Sequence, residues 1–167
     1  MSNVIVWDIE TVPDLKGFAA GNGHVGKSDD EVRVELGDKF PKHIYHSIIC
    51  IGGLVAHREP SGCWFVDALG APHVGERSEK ELVTSFVEKI AALSPQLVTF
   101  NGSSFDLPVL RYRAMVHGVT APGLSARPYF HRSSTPLSAS RIAGWLRPTA
   151  NTPQPLSRSR YCSPSPS

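Results

Sequence analysis

Acidic residues run out of this 167-residue chain at Asp106: all 15 Asp and Glu lie at or before it. Up to that point they stand against 9 Lys and Arg, a net charge of −6. Beyond it come 8 Arg, no Lys and no acid, a net of +8, so the overall +2 hides two opposed halves. A basic segment of this kind marks either nucleic-acid binding or a stretch of different origin. Cysteine is scarce as well. Cys50, Cys63 and Cys162 are odd in number, widely spaced and without CxxC spacing. They read as incidental thiols of a reducing compartment, and a cytoplasmic protein is expected. No apolar run approaches the roughly 20 residues of a membrane span, and no basic-then-apolar leader precedes the first strand-like segment, so no membrane partner is expected.

What remains is 41% apolar and long enough for one domain with a real core. Residues 133–167 stand apart, with 9 Ser, 6 Pro and 4 Arg in 35 positions. Such a stretch buries little apolar surface and does not fold alone. The expected division is therefore a domain over 1–132 and a Ser/Pro/Arg-rich tail over 133–167.

Within 1–132 the pattern is α/β. Residues 3–10 read as a strand, and 11–45 as irregular apart from a short helix around 29–36. SIICIGGLVAH (47–57) and CWFVDAL (63–69) read as paired strands joined by the turn-rich EPSG. SEKELVTSFVEKIAAL (78–93) predicts a helix: Ser78 and Glu81 form a capping box, and Leu82, Val83, Phe86, Val87 and Ile90 share one face. LVTF (97–100) is a short strand. A second helix begins near Leu107–Pro108, where proline costs no hydrogen bond, and ends before Gly118.

The first strand is the chemically informative one. Alternation puts Val4, Val6, Asp8 and Glu10 on one face and Ile5, Trp7 and Ile9 on the other. Asp8 and Glu10 are separated by roughly 6.6 Å of backbone. At that spacing both can reach one divalent cation, or a pair about 3.5–4 Å apart as in two-metal phosphoryl-transfer sites. Without a cation such like charges repel, and hard oxygen ligands suit Mg²⁺ or Mn²⁺. The plainer alternative is a strand running out into a solvated turn. FNGSSFDLPVL (100–110) delivers a third carboxylate, Asp106, from a strand–turn–helix junction, where active sites of open α/β sheets lie. Here too a plainer alternative exists, an ordinary helix cap.

Together, DIETVPD and the N-x-x-x-F-D of residues 101–106 resemble the first two motifs of the DEDD 3′–5′ exonucleases. The nearest likeness is to small bacterial proteins similar to the proofreading domain of family B DNA polymerases. It runs from about Asn3 to Arg132 and takes in FPKHIYHSIICIGGLVAH and ARPYFHR. The resemblance implies an RNase H-like α/β fold with a mixed central sheet flanked by helices. It implies two-metal hydrolysis, with Mg²⁺ or Mn²⁺, at the 3′ end of single-stranded nucleic acid, DNA for preference. Carried over, Asp8 and Glu10 match first-motif metal ligands and catalytic residues, and Asp106 the second-motif one. Asn101 and Phe105 match the accompanying positions that shape the substrate site. A third family motif, Tyr-x-x-x-Asp on a C-terminal helix, has no counterpart in this sequence. The fold is therefore expected to be incomplete at its C-terminus and hydrolysis impaired, with a reading-frame shift after YFHR as the expected cause.

Two further readings stay open: a non-catalytic nucleic-acid-binding protein of the same fold, and a P-loop NTPase. The second rests on GNGHVGKS (21–28), which satisfies G-x-x-x-x-G-K-[ST], with WFVD (64–67) as partner strand. A working P-loop joins a strand directly to a helix, whereas Asp14 to Ala20 offers no strand-like run; Ser28 and Glu31 capping a short helix is the alternative. Lys39, Phe40, Lys42, His43 and Tyr45 have the composition of a single-strand binding surface or of a solvated loop. Arg111 and Arg113 suit phosphate contacts or an exposed helix face. His24, His57 and His73 read as surface or loop residues, and Tyr129 and His131 are given no catalytic role.

Overall fold

The computed structural model describes residues 2–124 and 160–161. Its sheet is built on β1 (Ser2–Pro13), a strand four residues longer than the sequence pattern suggests. β1 pairs antiparallel with β2 (His46–Arg58), and the pairing slips between Glu10 and Thr11. That bulge lets the strand continue past the two carboxylates, so they sit mid-strand and the solvated-turn alternative fails. β2 pairs antiparallel with β3 (Trp64–Gly70), the hairpin expected from the turn at EPSG. On the other side β1 takes β4 (Gln96–Val98) in parallel, and Arg160–Tyr161, here β5, adds an edge pairing to β3. The order is β4-β1-β2-β3-β5.

Alternation along β1 decides where the core goes. Ile5, Trp7 and Ile9 are buried, together with Ile48, Ile51 and Val55 of β2. Two helices cover that face, α3 (Glu79–Leu93) and α4 (Asp106–Val116). α3 starts at the expected capping box, and all five apolar residues assigned to its inner face are buried. The result is a mixed sheet with packed helices, the RNase H-like α/β architecture that the resemblance implies.

The segment 11–45 holds more structure than its sequence suggests. α1 (Leu15–Asn22) is capped by Asp14, whose Oδ1 accepts from the Gly17 amide at 2.9 Å. α2 (Asp29–Leu36) begins at the Ser28/Glu31 capping box. The two pack through Leu15, Ala19 and Val32 as a small second cluster. A P-loop does not form between them. Gly21 and Asn22 end a helix, Ser28 caps the next, and Lys27 pairs with Glu35 at 2.7 Å. The phosphate-cradling reading is thereby corrected: the lysine is engaged, and no strand feeds the loop.

Arg113 also departs from expectation. It is 4% exposed, with Nε and Nη2 on the Glu79 carboxylate at 2.7 and 2.5 Å and Nη1 on Asp14 at 2.7 Å. Glu79 further accepts from the Ile48 amide at 2.6 Å and contacts His117 at 2.9 Å. Arg113 is thus a structural bolt, buried and turned onto two carboxylates rather than presented to phosphate, whereas Arg111 donates to the Leu124 carbonyl. His57 lies within β2 and pairs with Asp67 of β3 at 2.8 Å, so it is no loop residue. Cys50 is a free thiol. Tyr129, His131 and the 132/133 boundary fall outside the described residues. No helix among the described residues is long and apolar enough to cross a membrane.

Candidate active site

Asp8 and Glu10 stand exposed on the outer face of β1, opposite the buried Ile5–Trp7–Ile9 stripe. Across the sheet Asp8 is level with Gly52 and Glu10 with Cys50. A Cβ built on Gly52 would meet only the Asp8 carbonyl, at 3.9 Å, so the surface beside Asp8 is open. Glycine within a strand weakens it, and often marks close approach of a ligand or another backbone.

Asp106 arrives from the other direction. β4 ends at Val98, short of the expected LVTF strand, and the chain turns through 99–105 before α4 begins. Asn101 sits in the left-handed region at φ 56°, exposed, and its carbonyl accepts from the amides of Ser104 and Phe105. Gly102 packs so tightly on Thr99 that an added Cβ would lie 1.8 Å from the threonine methyl. This fold-back presses the Thr99 hydroxyl onto Asp106 Oδ2 as a donor. Asp106 therefore spends its carboxylate on Thr99, and the helix-cap alternative does not hold: no side chain caps α4.

Asp106 is 3% exposed. Burial raises its pKa, the Thr99 hydrogen bond opposes the rise, and the charge of Asp8 adds to it. Asp8 and Asp106, almost a hundred positions apart, are thus close enough to repel. The charge of Glu10 falls on Cys50, whose thiol pKa is raised first by burial and then by Glu10. Phe105, half-buried, turns toward Phe40, His43 and His46, with ring centroids at 5.6, 5.9 and 5.0 Å. Sequence reasoning missed Thr99 and His46 as supports. Thr99 acts only through the fold-back at Gly102, and His46 only through ring contacts brought together by the tertiary fold.

The fit to divalent cations follows from these donors. Asp8, Glu10 and Asp106 have no ion-pair partner among the described residues, and they offer only hard oxygen. An uncompensated Asp8–Asp106 pair suits part of a cation shell. No group of three His, Cys, Asp or Glu side chains among the described residues is gathered tightly enough to hold a metal. The fit is one of donor type, hard carboxylate oxygens suited to Mg²⁺ or Mn²⁺, and not of a gathered three-residue group.

No curated protein matches the chain. The model of one protein family, described as a predicted 3′–5′ exonuclease related to the exonuclease domain of PolB, matches residues 38–135. That stretch contains β2, β3, α3, β4 and α4 with Asn101, Phe105 and Asp106; β1, with Asp8 and Glu10, precedes it. The strand carrying the two outward carboxylates pairs directly with β2 and β4 of that matched stretch, and the chain belongs to the family of predicted 3′–5′ exonucleases related to the exonuclease domain of PolB.

Proposed function

We propose that the chain engages the 3′ end of single-stranded nucleic acid, DNA for preference, at the face bearing Asp8, Glu10 and Asp106. In this reading the three carboxylates hold divalent cations, and Asn101 and Phe105 shape the place of the terminal nucleotide. The observation that carries it is the charge of Asp8 in β1 acting on buried Asp106 in α4, with no ion-pair partner for either among the described residues. Cations bound there supply charge stabilisation for the attacking and leaving oxygens of a phosphodiester and lower the pKa of water. The chain's own part is to hold Asp106 through Thr99 and to leave space at Gly52.

In this reading residues 1–132 carry the working unit, 133–167 add to it the β5 pairing at the edge of β3, and hydrolysis is impaired in this chain. After Asp106 the sequence contains no acid to complete the cation shell, and losing one of a set of cooperating groups commonly costs several orders of magnitude in rate. The same lack of any acid after Asp106 favours a second reading in which the protein binds 3′ ends without turnover.

The test uses a fluorescent single-stranded oligonucleotide with a free 3′ end, followed by anisotropy and by product release, with Mn²⁺ or with EDTA. Salt-sensitive binding that Mn²⁺ strengthens, weakened by Asp8→Asn and by Asp106→Asn, is the expected result. Release of nucleotides is expected to be absent or slower than normal enzymatic rates by orders of magnitude. Absence of binding at low salt, or Lys27-dependent ATP binding, overturns the proposal. Release at a normal rate overturns the impairment alone.

A further inference from the structure

Phe40 is 74% exposed, yet its ring is held in place. The anchor is His46, itself 4% exposed. Its Nε2 lies 3.2 Å from the Pro41 carbonyl and its Nδ1 3.1 Å from Thr11 Oγ1. A carbonyl can only accept, so Nε2 carries the proton and Nδ1 accepts from the threonine hydroxyl. Both ring nitrogens are thereby used, which fixes the imidazole plane. Against that plane Phe40 sits at 4.9 Å, tilted 41°, and Phe105 at 5.0 Å, edge-on at 88°. Phe40 also meets Phe105 at 5.6 Å. Such offset and edge contacts are favourable ring geometries, and here they fix one side of Phe40 while most of the ring stays in water. Lys39 and Lys42, on either side of it in sequence, are exposed and make no ion pair among the described residues. Phe105, the next ring, is bonded directly to Asp106.

We propose that Phe40 is a stacking platform for an unpaired base, with Lys39 and Lys42 on the adjoining phosphates and Phe105 leading the strand to Asp106. The inference rests on the proposed 3′-end function and adds to it where the nucleotides upstream of the end are held. A π-face accepts any base, so the platform is tolerant of sequence; it requires that the base be unstacked from a partner strand, so it discriminates against blunt duplex. Position fits the same chemistry: a preset ring, free cations, and a continuous aromatic path to the carboxylates.

Anisotropy with a labelled oligothymidylate of about 12 nucleotides, in EDTA and moderate salt, measures the platform apart from cation binding. Phe40→Ala is expected to weaken binding about 10- to 100-fold, as loss of one base–aromatic stack does, while Phe40→Trp retains it. Because the ring is mostly exposed, the thermal midpoint of either variant should stay within a few degrees of the parent. A Lys39→Ala/Lys42→Ala pair should lower the slope of log affinity against log salt, which Phe40→Ala should not. Equal affinity of Phe40→Ala and parent for the oligonucleotide overturns the platform and leaves the proposed function standing. Polyglutamate peptide displacing the strand as effectively as unlabelled oligonucleotide also overturns it, since the surface would then serve acidic partners at large. If the parent chain binds no strand at all, both readings fall together.

Discussion

At the scale of single residues, His46 carries a measurable pH dependence. Burial depresses its pKa, with the nearby His43 charge acting the same way and the Pro41 hydrogen bond opposing. An unfolded chain accepts a proton there at the ordinary histidine value near 6.5. The folded state resists that proton until a lower pH, so over this interval the unfolded state binds more protons and stability rises with pH. His46 therefore contributes fully above about pH 6.5, and the contribution is lost as pH falls through its folded-state pKa. Urea titrations across pH 5–8 should show stability declining on the acid side, with the slope reduced in His46→Gln. An unchanged slope in that variant would assign the pH response to other groups.

Among the elements, the Arg113 bolt makes the largest single claim. It joins α4 to α3 through Glu79 and to the start of α1 through Asp14, while Glu79 also takes the Ile48 amide of β2. Arg113→Ala would leave two largely buried carboxylates facing each other without their cation. Breaking a buried pair in this way costs about 3–5 kcal/mol, and denaturant unfolding would detect it; a loss under about 0.5 kcal/mol, as for an ordinary surface residue, would refute the bolt. Its legibility in the sequence was limited by distance. Val109, Leu110, Arg113 and Ala114 share the buried stripe of α4, but the partners lie at positions 14 and 79. α2 and α3 were readable because a capping box is a signal within four residues. α1 was not: its two-glycine sequence has weak helical preference, and packing against Val32 of α2 compensates. The same contrast holds at the site, where β1 alternation placed Asp8 and Glu10 on one face, yet nothing local told that Glu10 would lie beside Cys50 and Asp8 beside Asp106.

On the scale of the whole molecule, the sheet has unequal faces. One is sealed by α3 and α4; on the other, the register lines up Val98, Val6, Leu54 and Leu69 across four strands, next to the row of Asp8. Val98, Val6 and Leu69 are 40%, 44% and 63% exposed. An apolar row open to this extent favours association between molecules. Leu69→Lys, the most exposed of the row, should reduce self-association in light scattering at high concentration and leave the thermal midpoint nearly unchanged. A midpoint lowered by many degrees would mean that Leu69 is covered in solution.

The central place of β1 has a consequence in time. Its parallel neighbour β4 is three residues long, and the side chain of Asn3 bonds to the Leu93 carbonyl 90 positions away. Nascent chains lengthen by about 5–20 residues each second, so β1 exists for roughly 5–20 s before α4 can bring Asp106 beside it. Throughout that wait the edge that β4 will occupy is a bare row of amides and carbonyls on the ribosome-bound chain. The β2–β3 hairpin, closed over a five-residue turn, can form early and shelter the opposite edge. The carboxylate pair is consequently among the last things this chain assembles, and a stalled ribosome would display a strand that neighbouring chains can pair with before the protein itself does.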